Sequence, residues 1–278
     1  MVENISIKER IYDISERRPF AFGLVSTVLI FILSFPIGIA IGTVIAIFAV
    51  QLLGIWSDWV MNVIIRMAAS LIGIWVLGAV LKTNGLNFVF SLKGFAKCLL
   101  ALSPMIIIIF VIPFVLIDEI GRYSDIVSYF PSIIIIEFAR GLQEEVLFRG
   151  VLMTAVLVSL SPTWDNKSER IIYALIFAAI FGLLHFTSWL VIFIAFSGGL
   201  LLCAAYIYTK NLLACVIVHW MSNALTAIIW GLMTGNFDWL QRILALQTFE
   251  LALMILFCII QIITAIILII KAKPFVSD

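Results

Sequence analysis

Apolar residues run along this chain in long stretches, and short polar breaks divide it into eight candidate helices. They cover 20–53, 59–81, 98–117, 130–160, 170–188, 190–209, 212–233 and 247–270. Stretches such as MIIIIFVIPFVLI and LALMILFCIIQIITAIILII approach or reach the roughly 20 residues that a helix needs to cross a bilayer. The pattern predicts an all-α, polytopic transmembrane bundle. Between the fifth and sixth helices, near Ser188 and Trp189, the polar break is minimal. The opening ISIKERIYDISERRPF mixes apolar residues with charges of both signs, which predicts an interfacial helix leading into the first span. LNFVFSLKGFAK, ahead of the third helix, has the same character. The chain therefore divides into an arm (1–19), N-terminal transmembrane helices (20–129), a core (130–233), and a last helix with a short tail (234–278).

Composition supports the membrane reading. The chain is 64% hydrophobic and only 12% charged, with a mean hydropathy of +1.22, whereas a soluble domain carries about a quarter charged residues. The net charge of +1 says little about partners in such a chain, but the lack of any basic tract longer than Arg17-Arg18 argues against nucleic acid. Cys98, Cys203, Cys215 and Cys258 lie in apolar segments without a CxxC pair, so they read as small buried side chains.

Charge also orients the chain. With the N-terminus inside, the cytoplasmic segments hold Lys8, Arg10, Arg17, Arg18, Lys82, Lys93, Lys97, Lys167, Arg170, Lys210, Lys271 and Lys273. The outer loops hold Arg122 and Arg242. The bias places both termini in the cytoplasm of a multi-pass cell-membrane protein. Arg66, Arg140 and Arg149 fall inside helices and need another explanation.

The chemistry concentrates in the fourth helix, where GLQEEVLFRGV brings Glu144, Glu145 and Arg149 into an apolar run. An ionised side chain at the bilayer centre costs about 2.5–3.5 kcal/mol on insertion scales. Glu145 and Arg149, four apart with the acid first, are spaced to pair. Glu137 and Arg140, three apart, are spaced likewise. Glu144 projects about 100° around the helix from Glu145 and gains least from such clamps. It is the candidate for chemistry.

Both histidines of the chain fall inside predicted spans, His185 in FGLLHF and His219 in HWMSN. Phe181 precedes His185 by four, placing a ring against the imidazole, and Asn223 follows His219 by four on one helix face. A lone intramembrane histidine is helix–helix glue in the bland case. Two of them with an unclamped glutamate suit hydrolysis: Glu144 and a histidine deprotonate water, while the other histidine and Asn223 donate to an oxyanion. Two histidines and a carboxylate also form a possible zinc set, although HExxH is absent. A proton-relaying transporter stays open as well, weakened by the absence of repeated halves. Counting about 1.5 Å per residue from the inner ends puts Glu144 and His185 about 21–24 Å deep but His219 only about 10 Å.

With these residues in view, the sequence resembles the CAAX protease and bacteriocin-processing family. Glu144-Glu145-Val-Leu-Phe-Arg149 matches its EExxxR motif, Phe181 to His185 its FxxxH, and His219 to Asn223 its HxxxN. The resemblance covers about residues 130–230. It implies an intramembrane endopeptidase acting on a membrane-associated or lipidated polypeptide, as the type II CAAX proteases remove the C-terminal tripeptide of prenylated proteins. By motif position it makes Glu144 the water-activating base assisted by His185, and His219 with Asn223 the oxyanion site. Glu145 and Arg149 would brace the base, and no cofactor is implied, a zinc-dependent mechanism being the older alternative. Cys203, where the family often has glycine, and TKNLL, where it often has glycine or serine, depart from the pattern without removing a catalytic group. An idle member serving as scaffold or immunity protein would carry the same motifs.

Overall fold

The computed structural model describes residues 21–30, 58–76, 92–107, 130–154, 167–234 and 248–272, with scattered positions between 9 and 44. Among them all regular structure is helical and there is no strand. In chain order the helices are α1 (Ala21–Ile30), α2 (Asp58–Trp75), α3 (Leu92–Ala101), α4 (Phe130–Glu145), α5 (Lys167–Leu183), α6 (Trp189–Thr209), α7 (Leu212–Thr234) and α8 (Thr248–Lys271). Each expected apolar run thus carries a helix in its described part, while 45–53, 77–81, 108–117 and 155–160 lie outside the described residues. Among the described residues two stretches are long and apolar enough to cross a membrane, Trp189–Thr209 and Leu251–Lys271, with mean hydropathies of 2.4 and 3.2.

Three details differ from the expectation. The third helix starts at Leu92, inside the stretch expected to be a separate interfacial helix, and turns at Leu102 before resuming over 103–107. Pro104 accounts for that turn, since it has no N–H to continue the ladder; Met105 N–H and Ile106 N–H both reach the Leu102 carbonyl instead. The fourth run is not α-helical throughout, because α4 passes at Glu145 into a π-helix over Val146–Met153. The fifth helix ends at Leu183, short of the expected 188, and residues 184–187 form a turn.

The chain forms two compact units. The first draws on Met1–Val89 and Ala139–Asp165. In it α2 runs alongside the segment from Gln143 to Val151 in the same direction. Arg66 Nη1 donates to Gln143 Oε1 at 2.8 Å, and one helical pitch and more further on, Gly73 lies against Val146, Leu147 and Val151. The approach is close enough that a Cβ on Gly73 would fall 2.6 Å from Val146 Cγ1. Glycine is required there. The wide register of the π-helix, with i→i+5 bonding, brings the Arg149 carbonyl to Thr154 Oγ1–H, which donates to it at 3.0 Å.

The second unit draws on Phe90–Phe138 and Asn166–Lys273. Here α5 and α6 form an antiparallel hairpin, and α6 packs on both α5 and α8, which buries Ser197–Ile207 throughout. Helix α6 begins at Ser188, whose hydroxyl accepts from Val191 N–H at 3.3 Å. This N-cap makes the minimal polar break sufficient. It ends at Lys210 in the left-handed region (φ 55°), and Asn211 Oδ1 then caps α7 by accepting from Ala214 N–H at 2.9 Å. Ser197 Oγ–H donates to Gln261 Oε1 on α8 at 2.9 Å, a polar link inside an apolar interface. Arg170 is not a solvated loop cation: it is 2% exposed and donates to the Ala272 carbonyl at 2.6 Å, capping the end of α8. All four cysteines are buried and none forms a disulfide, as expected.

Candidate active site

From Gly141 to Thr154 every described side chain is buried except one. Glu144 is half-buried, while Glu145 and Arg149 are sealed. Arg149 Nη1 donates to Glu145 Oε1 at 2.9 Å, with both side chains 0% exposed. The i,i+4 spacing in the sequence anticipates this pair. Its consequence is a division between adjacent carboxylates: Glu145 is committed to an interior ion pair, and Glu144 faces the accessible side of the same turn. Glu137 is buried and Arg140 half-buried.

His185 is not within a helical span. It sits in the turn after α5, half-buried. Because α5 stops at Leu183, the backbone N–H of His185 bonds to the Gly182 carbonyl at 3.0 Å, and the Phe181 carbonyl loses its usual i+4 partner. The imidazole replaces it, with Nδ1 at 2.8 Å from Phe181 O. A carbonyl only accepts, so Nδ1 carries the hydrogen, and in the neutral ring Nε2 is the basic nitrogen. A side chain that closes a helix end thereby fixes its own tautomer.

The expected ring contact is present: Phe181 and His185 have centroids 4.7 Å apart. The same phenyl ring also meets His219, edge-on at 6.3 Å. Sequence reasoning missed this second contact, because it joins α5 to α7. It also corrects the depth estimate. Counting residues from the inner ends set His219 well short of His185, yet both flank one ring. That count assumes upright helices starting at one level, and the bundle does not obey it. His219 is 5% exposed, and Asn223, one turn further along α7, is half-buried.

Two further residues hold this arrangement. Trp220 Nε1–H donates to the Ile134 carbonyl at 3.0 Å, and its indole meets Phe138 edge-on at 5.5 Å, fixing α7 to the first turns of α4. Gly182, beside Phe181, admits α6: a Cβ there would lie 2.9 Å from the Ile192 carbonyl oxygen. HWMSN and FGLLH carry both residues, but only the three-dimensional packing assigns them a task. Glu144, Glu145 and Arg149 belong to the first unit, and His185, His219 and Asn223 to the second. Among the described residues no three His, Cys, Asp or Glu side chains are grouped to hold a metal ion.

Compared with known proteins, residues 126–225 match a family profile described as type II CAAX prenyl endopeptidase Rce1-like. No curated protein and no solved structure matches the chain. The matched segment contains all six site residues, from Glu144 to Asn223. Over residues 126–225 the chain is therefore similar to the Rce1-like type II CAAX prenyl endopeptidases.

Proposed function

We propose that the protein is a multi-pass membrane endopeptidase that hydrolyses a peptide bond of a membrane-associated or lipidated polypeptide, with Glu144 as the base that activates water. The observation that carries this reading is the split between neighbouring carboxylates, one sealed against Arg149 and the other half-exposed in an otherwise buried segment. An ion-pair clamp alone calls for one glutamate. In the proposed reaction Glu144 takes a proton from water as the resulting hydroxide attacks the scissile carbonyl carbon. His185, with Nδ1 occupied by the Phe181 carbonyl, shares that proton through Nε2 and passes it to the leaving amine. His219 and Asn223 donate to the oxyanion of the tetrahedral intermediate. Glu145 and Arg149 fix the turn that presents Glu144.

Membrane residence is supported by α8, whose Leu256, Ile259, Ile260, Ile263, Ile267 and Ile270 form an exposed apolar stripe at helical spacing. Lipid is the partner that such a stripe suits.

The test is Glu144→Gln, which keeps shape and removes the base. Peptide cleavage should fall by roughly 10²-fold or more. Comparative peptidomics of cells carrying wild type or this variant should reveal a fragment that depends on the carboxylate. In the double variant Glu144→Gln/His185→Ala the losses should not multiply, because groups acting as one unit are non-additive. Multiplying losses would separate the two residues and overturn the shared water-activating role. No resident metal belongs to this reading, so the purified protein should keep its activity through prolonged chelation. One equivalent of zinc lost in both His185→Ala and His219→Ala would replace it with a metal mechanism.

A further inference from the structure

The pair of Glu145 and Arg149 lies within one chain segment. It holds the shape of the turn around Glu144, but a bond inside one helix does not decide which way that helix faces. A bond to a neighbouring helix does. Arg66 on α2, in the same unit as Glu144, supplies one: its Nη1 donates to Gln143 Oε1 at 2.8 Å. Its Nε donates to Asn62 Oδ1 at 2.6 Å, one turn back on α2, which sets the plane of the guanidinium. Gln143 is 3% exposed, so the bond is made inside the packed face. Three residues further on, Val146 lies against Gly73 of α2, too close to leave room for a Cβ. Gln143 and Val146 thus mark the stripe that faces α2. Glu144, about 100° around the helix from Gln143, projects to one side of that stripe.

This geometry gives Arg66 leverage over the carboxylate. Side-chain ends lie roughly 5–6 Å from a helix axis, so a turn of about 10° around that axis carries the Glu144 carboxylate about 1 Å. A misplacement of that size costs a reaction about 10²-fold. We infer that Arg66 is a positioning residue, which acts through Gln143 to fix the rotation of α4 and so the direction in which Glu144 presents its carboxylate. Gly73 admits the close approach of α2 on which the bond depends. The inference rests on the reading of Glu144 as the base, and it adds to the working site a helix that lies outside the family match at 126–225.

The experiment uses the full-length protein in vesicles and a farnesylated CAAX-type peptide. Arg66→Gln and Gln143→Leu should each lower kcat per folded molecule roughly ten- to a hundredfold with KM little changed, since contacts with the substrate stay in place. The pH profile should stay as in wild type, because the base is displaced and not retuned. The double variant should fall no further than either single one, because the two residues act as a unit. Arg66→Lys keeps the charge and loses the planar fork, so it should resemble Arg66→Gln. If Arg66→Gln does not fold, Gln143→Leu and Arg66→Lys carry the same comparisons. Losses that multiply, a pH profile that shifts in Arg66→Gln alone, or full activity in Arg66→Lys each overturn the inference. A second measurement does not depend on cleavage. Glu144→Cys should react with a water-soluble maleimide, the native cysteines being buried, and adding Arg66→Gln or Gln143→Leu should slow that reaction several-fold. An unchanged rate overturns the inference and leaves the Glu144 reading intact. A slowed rate together with cleavage that survives Glu144→Gln upholds the positioning and sinks the reading of Glu144 as the base.

Discussion

Glu145 and Arg149 meet with no exposed surface on either side chain, and removing one partner strands the other in a medium that cannot solvate it. Arg149→Ala should therefore cost about 3–5 kcal/mol and lower both the melting temperature in detergent and the folded yield. Replacing both groups by apolar side chains of similar volume, Glu145→Leu with Arg149→Met, should recover most of that loss, because a buried pair contributes little beyond what its own desolvation costs. If Arg149→Ala melts normally and loses only activity, Arg149 takes part in the chemistry directly. This pair was legible in the sequence since its geometry is local: four residues on one helix decide it. Contacts between helices distant in sequence were not legible. Arg66 and Gln143 are 77 residues apart, and nothing in the hydropathy of either segment announces their bond. The second contact of Phe181, with His219, has the same cause.

At the scale of elements, hydropathy locates helices well and their interruptions poorly. The π-helix over Val146–Met153 is as apolar as the α-helix expected there, since a change of hydrogen-bond register leaves no trace in side-chain polarity. The turn that carries His185 is equally quiet: Leu184 and Phe186 on either side of it are apolar and exposed. What starts α6 is the hydroxyl of Ser188, a single residue in an apolar run. The junction of α6 and α7 holds the one described non-glycine residue with positive φ, Lys210 at 55°. A left-handed conformation costs an ordinary residue roughly 1–2 kcal/mol, and this position after a helix usually belongs to glycine. Lys210→Gly should accordingly hold or raise the melting temperature, while Lys210→Val, with a branched Cβ forced to the same φ, should lower it. A fall with glycine as large as with valine would show that the lysine side chain, and not the backbone, stabilises the junction.

For the whole molecule, the claim to be tested is topology, and several contacts bear on it. Lysine and arginine divide into Lys8, Arg10, Arg17, Arg18, Lys82, Lys93, Lys97, Lys167, Arg170, Lys210, Lys271 and Lys273 on one side against Arg122 and Arg242 on the other. This predicts cytoplasmic termini. Within the first unit, α2 runs in the same direction as the segment from Gln143 to Val151, which agrees with the expected topology, where the second and fourth apolar runs cross in the same sense. Within the second unit, Arg170 at the start of α5 caps the end of α8 at Ala272, joining two ends that the charge distribution assigns to the same side. Arg170 thus weighs less as a topogenic charge than a solvated lysine, since its guanidinium is spent on a helix end, but its position agrees with the rest. An alkaline phosphatase fused after Asp278 should be silent and a cytoplasmic reporter at the same point active. Cysteines introduced at Glu169 and at Leu184, at opposite ends of α5, should react with an impermeant reagent from opposite faces of sealed vesicles, the native cysteines being buried. Labelling of both from one face would mean that the hairpin of α5 and α6 enters the bilayer and returns without crossing it. In that case the turn bearing His185 would lie within the membrane, and the eight-span arrangement would have to be abandoned.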